Sequence, residues 1–418
     1  MARGPTRSVK APSGFAKVRC TPVGQLESPA AAGRNPARVL LGALPLQFAF
    51  GLVYSWGALA PFIQRDLHWH PLLVSAVFSA TPIGYGTGIV IGGRLADRVP
   101  PRRLCWAGLG LLAMGGGIAL AEPSGPTFVL LYSMLGLGLG GGLALAGSIA
   151  AGRHAMPGRV GTVTGLVTGA YAMAAPLQVP IVSVLAGSIG WLPTLRGMGA
   201  GMLGLAALTL TAMPAIPRPA HPGGEGHAPS PATLLRRPRL LTAILFEVTG
   251  TPLGAFAFVS AASYARGLQL AAVVATVAIT AVAVGNAVGR IAAGAASDRV
   301  GVDRVMTAML LLDLVAAAIL FAHPGGLGVV AGALLAGIGF GAPAGVIGRL
   351  AEDSAPDAPN SAFGLIFAGF AAGAGSGSLL GAAIGGSDAW AVLGLPALAG
   401  LGVVVLRHRL GHRADATA

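Results

Sequence analysis

From residue 38 to 406 the chain is a succession of apolar runs separated by short clusters of charge, proline and glycine. Each run is close to the ~20 residues that cross the hydrocarbon core of a bilayer as a helix. The pattern predicts twelve helices, at 38–63, 71–93, 104–121, 126–151, 159–185, 194–213, 240–264, 268–294, 305–322, 325–347, 360–385 and 388–406. An even number of crossings leaves both ends on one side. The longest polar break, residues 214–239, divides the helices six and six.

Composition agrees with the pattern. Only 10% of residues are charged and 54% are hydrophobic, against about 25% charged in soluble domains. A soluble fold is excluded, and a polytopic membrane protein is expected. The net charge of +13 suggests nucleic acid until its distribution is read. All Lys and Arg except Arg65, Arg196, Arg266 and Arg290 fall in the tails or in alternate loops on one side. That is the positive-inside bias, which predicts a cell-membrane protein with both termini cytoplasmic and leaves nothing for nucleic acid to explain. Residues 1–37, rich in Pro, Ala, Gly and Arg, read as a disordered cytoplasmic tail rather than a signal peptide. Cys20 and Cys105 are not expected to pair.

The two sets of six helices carry one repeated signal. After the second predicted helix stands "GGRLADRVPPRR" from Gly92, and after the eighth "GAASDRVGVDR" from Gly294. Both contain Gly-x-x-x-Asp-Arg, as Gly93, Asp97, Arg98 and Gly294, Asp298, Arg299. A duplicated six-helix unit is the simplest origin. In architecture and in both turns the chain resembles the major facilitator superfamily, although Pro100 stands where the family pattern has glycine. The resemblance implies an all-α membrane fold of two pseudo-symmetric six-helix bundles that rock about a midplane site. The organisation expected is a tail at 1–37, bundles at 38–213 and 240–406, a cytoplasmic linker at 214–239 and a tail at 407–418. "GLVYSWGALAPF", "GRHAMPGRVGTVTG", "YARGLQLAA", "GNAVGRIAAGAASDRVG" and "NSAFGLIFAGF" are similar, in order and spacing, to the oxalate:formate antiporter and monocarboxylate-transporter-like group.

Three charged residues fall well inside predicted spans: Glu247, Arg290 and Asp313. Each costs roughly 2.5–3.5 kcal/mol at a helix centre on insertion scales and wants a partner or a wet cavity. Arg290 lies eight residues, about 12 Å, from Asp298. It is either a structural ion pair or a guanidinium fork for a substrate carboxylate, and the resemblance implies the second. Asn286, one turn away, orients the guanidinium or the substrate, or is an interhelical amide. Glu247 lies at a similar depth, where it forms a permanent ion pair with Arg290 or couples proton to anion movement. For Asp313 a local polar contact is expected. The resemblance also implies a second cation for a dicarboxylate, a lysine in the eleventh helix; that position here is Phe370, and the only lysines are Lys10 and Lys17. One carboxylate therefore fits better than two. Tyr54 and Tyr132 belong to helices that line the cavity in the resembled fold, and are either substrate contacts or packing aromatics.

Asp97, Arg98, Asp298 and Arg299 either mark topology or latch a cytoplasmic gate. Glycines at four-residue spacing form stripes that include Gly84 and Gly88, Gly165 and Gly169, Gly285 and Gly289, and Gly373 and Gly377. Such stripes serve static packing or, since helices 2 with 11 and 5 with 8 meet across the halves in the resembled fold, the rocking interface. "GLGLGG" at 136–141 lacks the preceding strand that a nucleotide site needs. The histidines at 68, 70, 221 and 227 lack metal-ligand spacing, and neither metal nor cofactor is expected. The chain reads as a secondary transporter of a small organic monocarboxylate, working with a proton or a counter-anion, in a lipid bilayer and as a monomer. Oxalate/formate-type exchange, efflux of another solute and a transporter-like sensor are the alternatives. An enzyme is not indicated, because no nucleophile, base and acid assemble.

Overall fold

A computed structural model describes residues 35–216, 229–322 and 325–415. Twelve helices long and apolar enough to cross a membrane follow one another among these residues: α1 (Pro36–Leu67), α2 (Leu72–Ala96), α3 (Pro101–Ala121), α4 (Thr127–Ala155), α5 (Val160–Ile189), α6 (Trp191–Ala212), α7 (Pro238–Gly267), α8 (Ala272–Val300), α9 (Val302–Phe321), α10 (Gly326–Ser354), α11 (Pro359–Ile384) and α12 (Asp388–Leu410). They form two bundles, α1–α6 and α7–α12. Residues 1–34 of the expected tail and 217–228 of the expected linker lie outside the described residues.

The first helix of each bundle is broken. In α1 a tight-turned segment, Gly51–Ser55, separates Pro36–Phe50 from Trp56–Leu67. In α7 the break is at Thr251, where Pro252 has no N–H to continue the ladder. Several helices extend past the apolar pattern on the face that carries the chain termini. α10 runs to Ser354, although its apolar pattern ends at 347, and α8 to Val300 rather than 294. There the helix continues as polar turns that bond to each other instead of to lipid. α12 continues as helix to Asp415, so Arg407, expected to open a tail, is 1% exposed. It donates to Asp303 Oδ1 at 3.3 Å, to the Arg239 carbonyl at 2.8 Å and to Ser354 Oγ at 3.0 Å, tying α9, α7 and α10 together.

The glycine stripes divide between the two readings. Between the bundles α5 packs on α8 and α2 on α11, but most of the stripes face inward within one bundle. A Cβ at Gly84 would lie 2.2 Å from the Met134 carbonyl, and one at Gly88 2.4 Å from that of Leu139, both on α4. Gly285 and Gly289 press on Leu334 and Ile338 of α10, and Gly373 and Gly377 on Thr251 and Pro252 of α7. These six are bundle packing, not a rocking interface. Close approach needs small residues on one helix only, so the stripe does not reveal which neighbour fills it. Gly165 and Gly169 do cross between bundles, against Arg290 and Ile291, and Gly161 meets Gly294 and Ser297. "GLGLGG" likewise packs α4: Gly138 lies against Gly84, and Gly140 against Gly108.

Candidate functional site

Arg290 lies on α8 between the bundles and is 5% exposed. Three glycines let neighbouring backbones close on this part of α8. A Cβ would stand 2.4 Å from the Arg290 carbonyl at Gly165, 2.3 Å from it at Gly345, and 2.0 Å from the Asn286 carbonyl at Gly341. Arg290 Nε donates to Asn286 Oδ1 at 3.0 Å, and Nη1 to the Thr168 carbonyl of α5 at 3.5 Å. Because Oδ1 accepts from the guanidinium, the amide nitrogen must point away. Asn286 Nδ2 is buried with no acceptor. Nη2 of Arg290 likewise has none among the described residues. Asn286 Nδ2 is thus a buried donor left unsatisfied, which native structures rarely tolerate without a ligand or water, and beside it the unpartnered Nη2 edge of Arg290 keeps some access.

Aromatic rings surround this pair. The Phe370 ring lies 6.0 Å from the guanidinium carbon, within cation–π range. From Phe370 a closed circuit runs through Phe367 (5.2 Å between centroids), Tyr85 (5.8 Å), Tyr171 (5.2 Å), Tyr54 (5.4 Å), Phe258 (6.4 Å) and Phe340 (5.4 Å), then back to Phe370 (5.2 Å). Tyr54 also lies beside Asn286 and within the field of Arg290. Of the seven, the sequence reading singled out Tyr54 and Phe370. The other five lie on helices far apart in the chain and have no local signature.

Other expected residues stand elsewhere. Tyr132 faces away from the circuit, packing on Trp56 (6.4 Å) and Phe128 (5.3 Å) inside the first bundle. Glu247 is completely buried, but it makes no ion pair with Arg290, and both carboxylate oxygens are without hydrogen-bond donors. It feels Arg290 only through space. Asp313 Oδ1 points at Gly339 of α10, where a Cβ would lie within 2 Å, and has no donor either.

The repeated turns supply a seal on the terminal face. Asp298 accepts from the backbone N–H of Gly161 (2.9 Å) and Thr162 (2.6 Å) and from the Thr162 hydroxyl (2.7 Å). It caps the positive end of α5, in the other bundle. Asp97 accepts from Asn360 Nδ2 (2.9 Å) and Ser361 Oγ (2.6 Å) in the first turn of α11. Arg153 joins them, donating to Asn360 and to Glu352 (3.1 Å). Arg98 and Arg299 are exposed and contribute nothing to the seal. Among the described residues, every side-chain hydrogen bond between the bundles lies in this seal or at Arg290.

The family model of the Major Facilitator Superfamily matches residues 40–274. The chain belongs to the Major Facilitator Superfamily. Members of this superfamily are transporters that carry small solutes across a lipid bilayer. An uncharacterized MFS-type transporter of Escherichia coli (strain K12), YhjX, is 27% identical over 291 residues, which cover 68% of this transporter and 71% of YhjX. Among solved structures, the transporter FucP in its outward conformation superposes with a TM-score of 0.71 at 15% identity, covering 90% of this chain and 99% of FucP. A second structure, described as the E. coli fucose:proton symporter FucP, gives 0.67 at 15%, covering 89% and 98%. These two establish the shared fold.

Proposed function

We propose that this superfamily member is a secondary active transporter of a small organic monocarboxylate, coupled to protons and working by alternating access. The observation that carries the reading is the pair of unsatisfied donors, Arg290 Nη2 and Asn286 Nδ2, inside an aromatic enclosure. A carboxylate accepts from both, while its apolar remainder lies against the seven rings. Among the described residues no second cation stands beside the ring circuit, which favours one carboxylate over two. Glu247 supplies the coupling. An unpartnered buried carboxylate is costly, and a proton removes that cost. An anion arriving at Arg290 withdraws the positive field from Glu247 and so favours its protonation.

The positive-inside bias supports a cytoplasmic terminal face in a cell membrane, and the working unit of this reading is a monomer. The seal through Asp97 and Asp298 then closes the inner side, and the site is reached from outside. The 407–418 segment and the 214–239 linker would lie in the cytoplasm. The test is uptake of labelled formate, lactate, pyruvate and oxalate into proteoliposomes, with and without an inward proton gradient. Wild-type protein is expected to take up a monocarboxylate several-fold faster with the gradient. Glu247→Gln is expected to keep exchange of that acid across the membrane but lose the stimulation. Movement of none of these acids ends the carboxylate reading. Unchanged stimulation in Glu247→Gln ends the coupling role.

A further inference from the structure

The site between the bundles is not the only place prepared for a bound molecule. A cavity of about 420 Å³ lies wholly within the first bundle, between α3 and α6 with α1 and α4 behind it. Small residues open it: Ala113, Gly116 and Gly117 on α3 face Gly199 and Ala200 on α6. Ala113, Gly117, Ala121 and Ala200 on its rim are exposed, so it opens sideways at the bundle's outer surface. Its deeper wall is apolar, formed by Leu52, Leu112, Met202 and Leu203.

Two polar groups stand at one level of this groove. Tyr132 lines it and is only 5% exposed, yet its hydroxyl has no hydrogen-bond partner among the described residues. Arg196 lies at the mouth and donates Nε (3.2 Å) and Nη2 to the Leu120 carbonyl (2.6 Å), while no acid pairs with its charge among the described residues. Each is five residues in from its helix end on the face opposite the termini. At ~1.5 Å per residue that is roughly 8 Å, whereas Met202 and Leu203 lie roughly 17 Å in. Charge and hydroxyl at the depth of lipid headgroups, with an apolar channel running from them toward the midplane, is the layout of a phospholipid.

We propose that this groove binds one phospholipid from the leaflet opposite the termini. Its phosphate pairs with the free edge of Arg196, an ester carbonyl accepts from Tyr132, and one acyl chain fills the cleft between α3 and α6. The volume suits one chain, and the charge selects a lipid with a phosphate over an uncharged one.

The test uses the full-length protein in detergent, titrated with phosphatidylglycerol or with diacylglycerol of the same chains and read by native mass spectrometry. Wild type is expected to retain one phosphatidylglycerol at concentrations where diacylglycerol binds at least about fivefold less. Gly199→Leu fills the groove where a side chain meets nothing within 4 Å, and is expected to lower that occupancy about tenfold. Gly201→Leu, on the same helix, outside the lining and equally unobstructed, is expected to leave it unchanged. Arg196→Ala should abolish the preference for phosphatidylglycerol over diacylglycerol. Equal loss in the Gly199 and Gly201 variants, or only detergent adducts in wild type, overturns the site. Undiminished headgroup preference in Arg196→Ala overturns the phosphate assignment. A transport defect is not the readout, so the carboxylate reading can fail without this one.

Discussion

The two bundles descend from one repeated unit by the evidence of their turns, yet they bring opposite chemistry to the space between them. The first contributes Tyr54, Tyr85 and Tyr171; the second contributes Phe258, Phe340, Phe367 and Phe370. The second also carries all three charged residues that sit well within the spans: Glu247, Arg290 and Asp313. Fixed charge on one wall and neutral, rotatable hydroxyls on the other divide the work. On the proposed reading, the charged wall selects the anion and the phenolic wall adapts to it. An arginine on each side would instead hold two carboxylates and resist opening once loaded.

Removing the charge should therefore cost far more than removing a hydroxyl. Arg290→Ala is expected to lower monocarboxylate uptake about 100-fold, as loss of charge-assisted hydrogen bonds worth roughly 3 kcal/mol predicts. Tyr171→Phe keeps the ring contacts and removes one neutral hydroxyl, and should lower uptake about fivefold or less. Initial-rate uptake measured on the same proteoliposome preparation compares them. Similar losses in the two would remove the distinction between the walls. Arg290→Lys sharpens the point, since a lysine keeps the charge without the planar fork; it should fall between the two.

The two turns show the same divergence at the seal. Asp298 holds two backbone N–H groups at a helix end, which cannot turn away. Asp97 holds an amide and a hydroxyl, which can rotate to other partners. Asp298→Asn should loosen the seal about tenfold, and Asp97→Asn about threefold, on the scale of roughly 0.5–1.5 kcal/mol for ordinary hydrogen bonds. The readout is the rate at which an impermeant maleimide, added on the side of the termini, labels a cysteine placed at Thr168 behind the seal. The reverse order would show that the side-chain arm carries the closure.

How much of this was legible follows from what kind of signal each feature leaves in a chain. Twelve spans were readable because lipid selects for long apolar runs, and Arg290 because a cation interrupts one. The helix ends on the terminal face were misjudged because apolarity stops there while the helix continues, held by Arg153, Glu352 and Asp298. The glycines revealed close approach but not the partner, so static packing and a rocking interface both stayed open for Gly373 and Gly377, which lie against Thr251 and Pro252 of their own bundle. Tyr85, Tyr171, Phe258, Phe340 and Phe367 were missed altogether. A membrane helix uses aromatics as ordinary bulk, and only the crossing of six helices makes a circuit of them. Asn286 was placed by its helical turn, but its stranded amide nitrogen needed the Arg290 hydrogen bond to be seen.

The smallest expected effect concerns the terminal face of the second bundle. Arg237 donates to both carboxylate oxygens of Asp357, tying the start of α7 to the α10–α11 loop, and Arg407 pairs with Asp303. The first bundle has no ion pair between its own helices on that face among the described residues. The guanidinium hydrogen bonds hold the Asp357 carboxyl below the ordinary carboxylate range. A carboxyl whose folded pKa is depressed contributes stability above its unfolded value, near 3.9, and loses it as pH falls through the folded one. The pair is half exposed, so screening keeps its share at about 1 kcal/mol or less. Acidification from pH 5 to 3 should thus raise hydrogen exchange at residues 352–362 in wild type and change it little in Asp357→Asn. The same comparison at residues 150–160 in the first bundle should show no difference between the two proteins, because the α4–α5 turn does not contact Asp357. A difference there would mean that the Asp357 brace and the seal are coupled rather than independent.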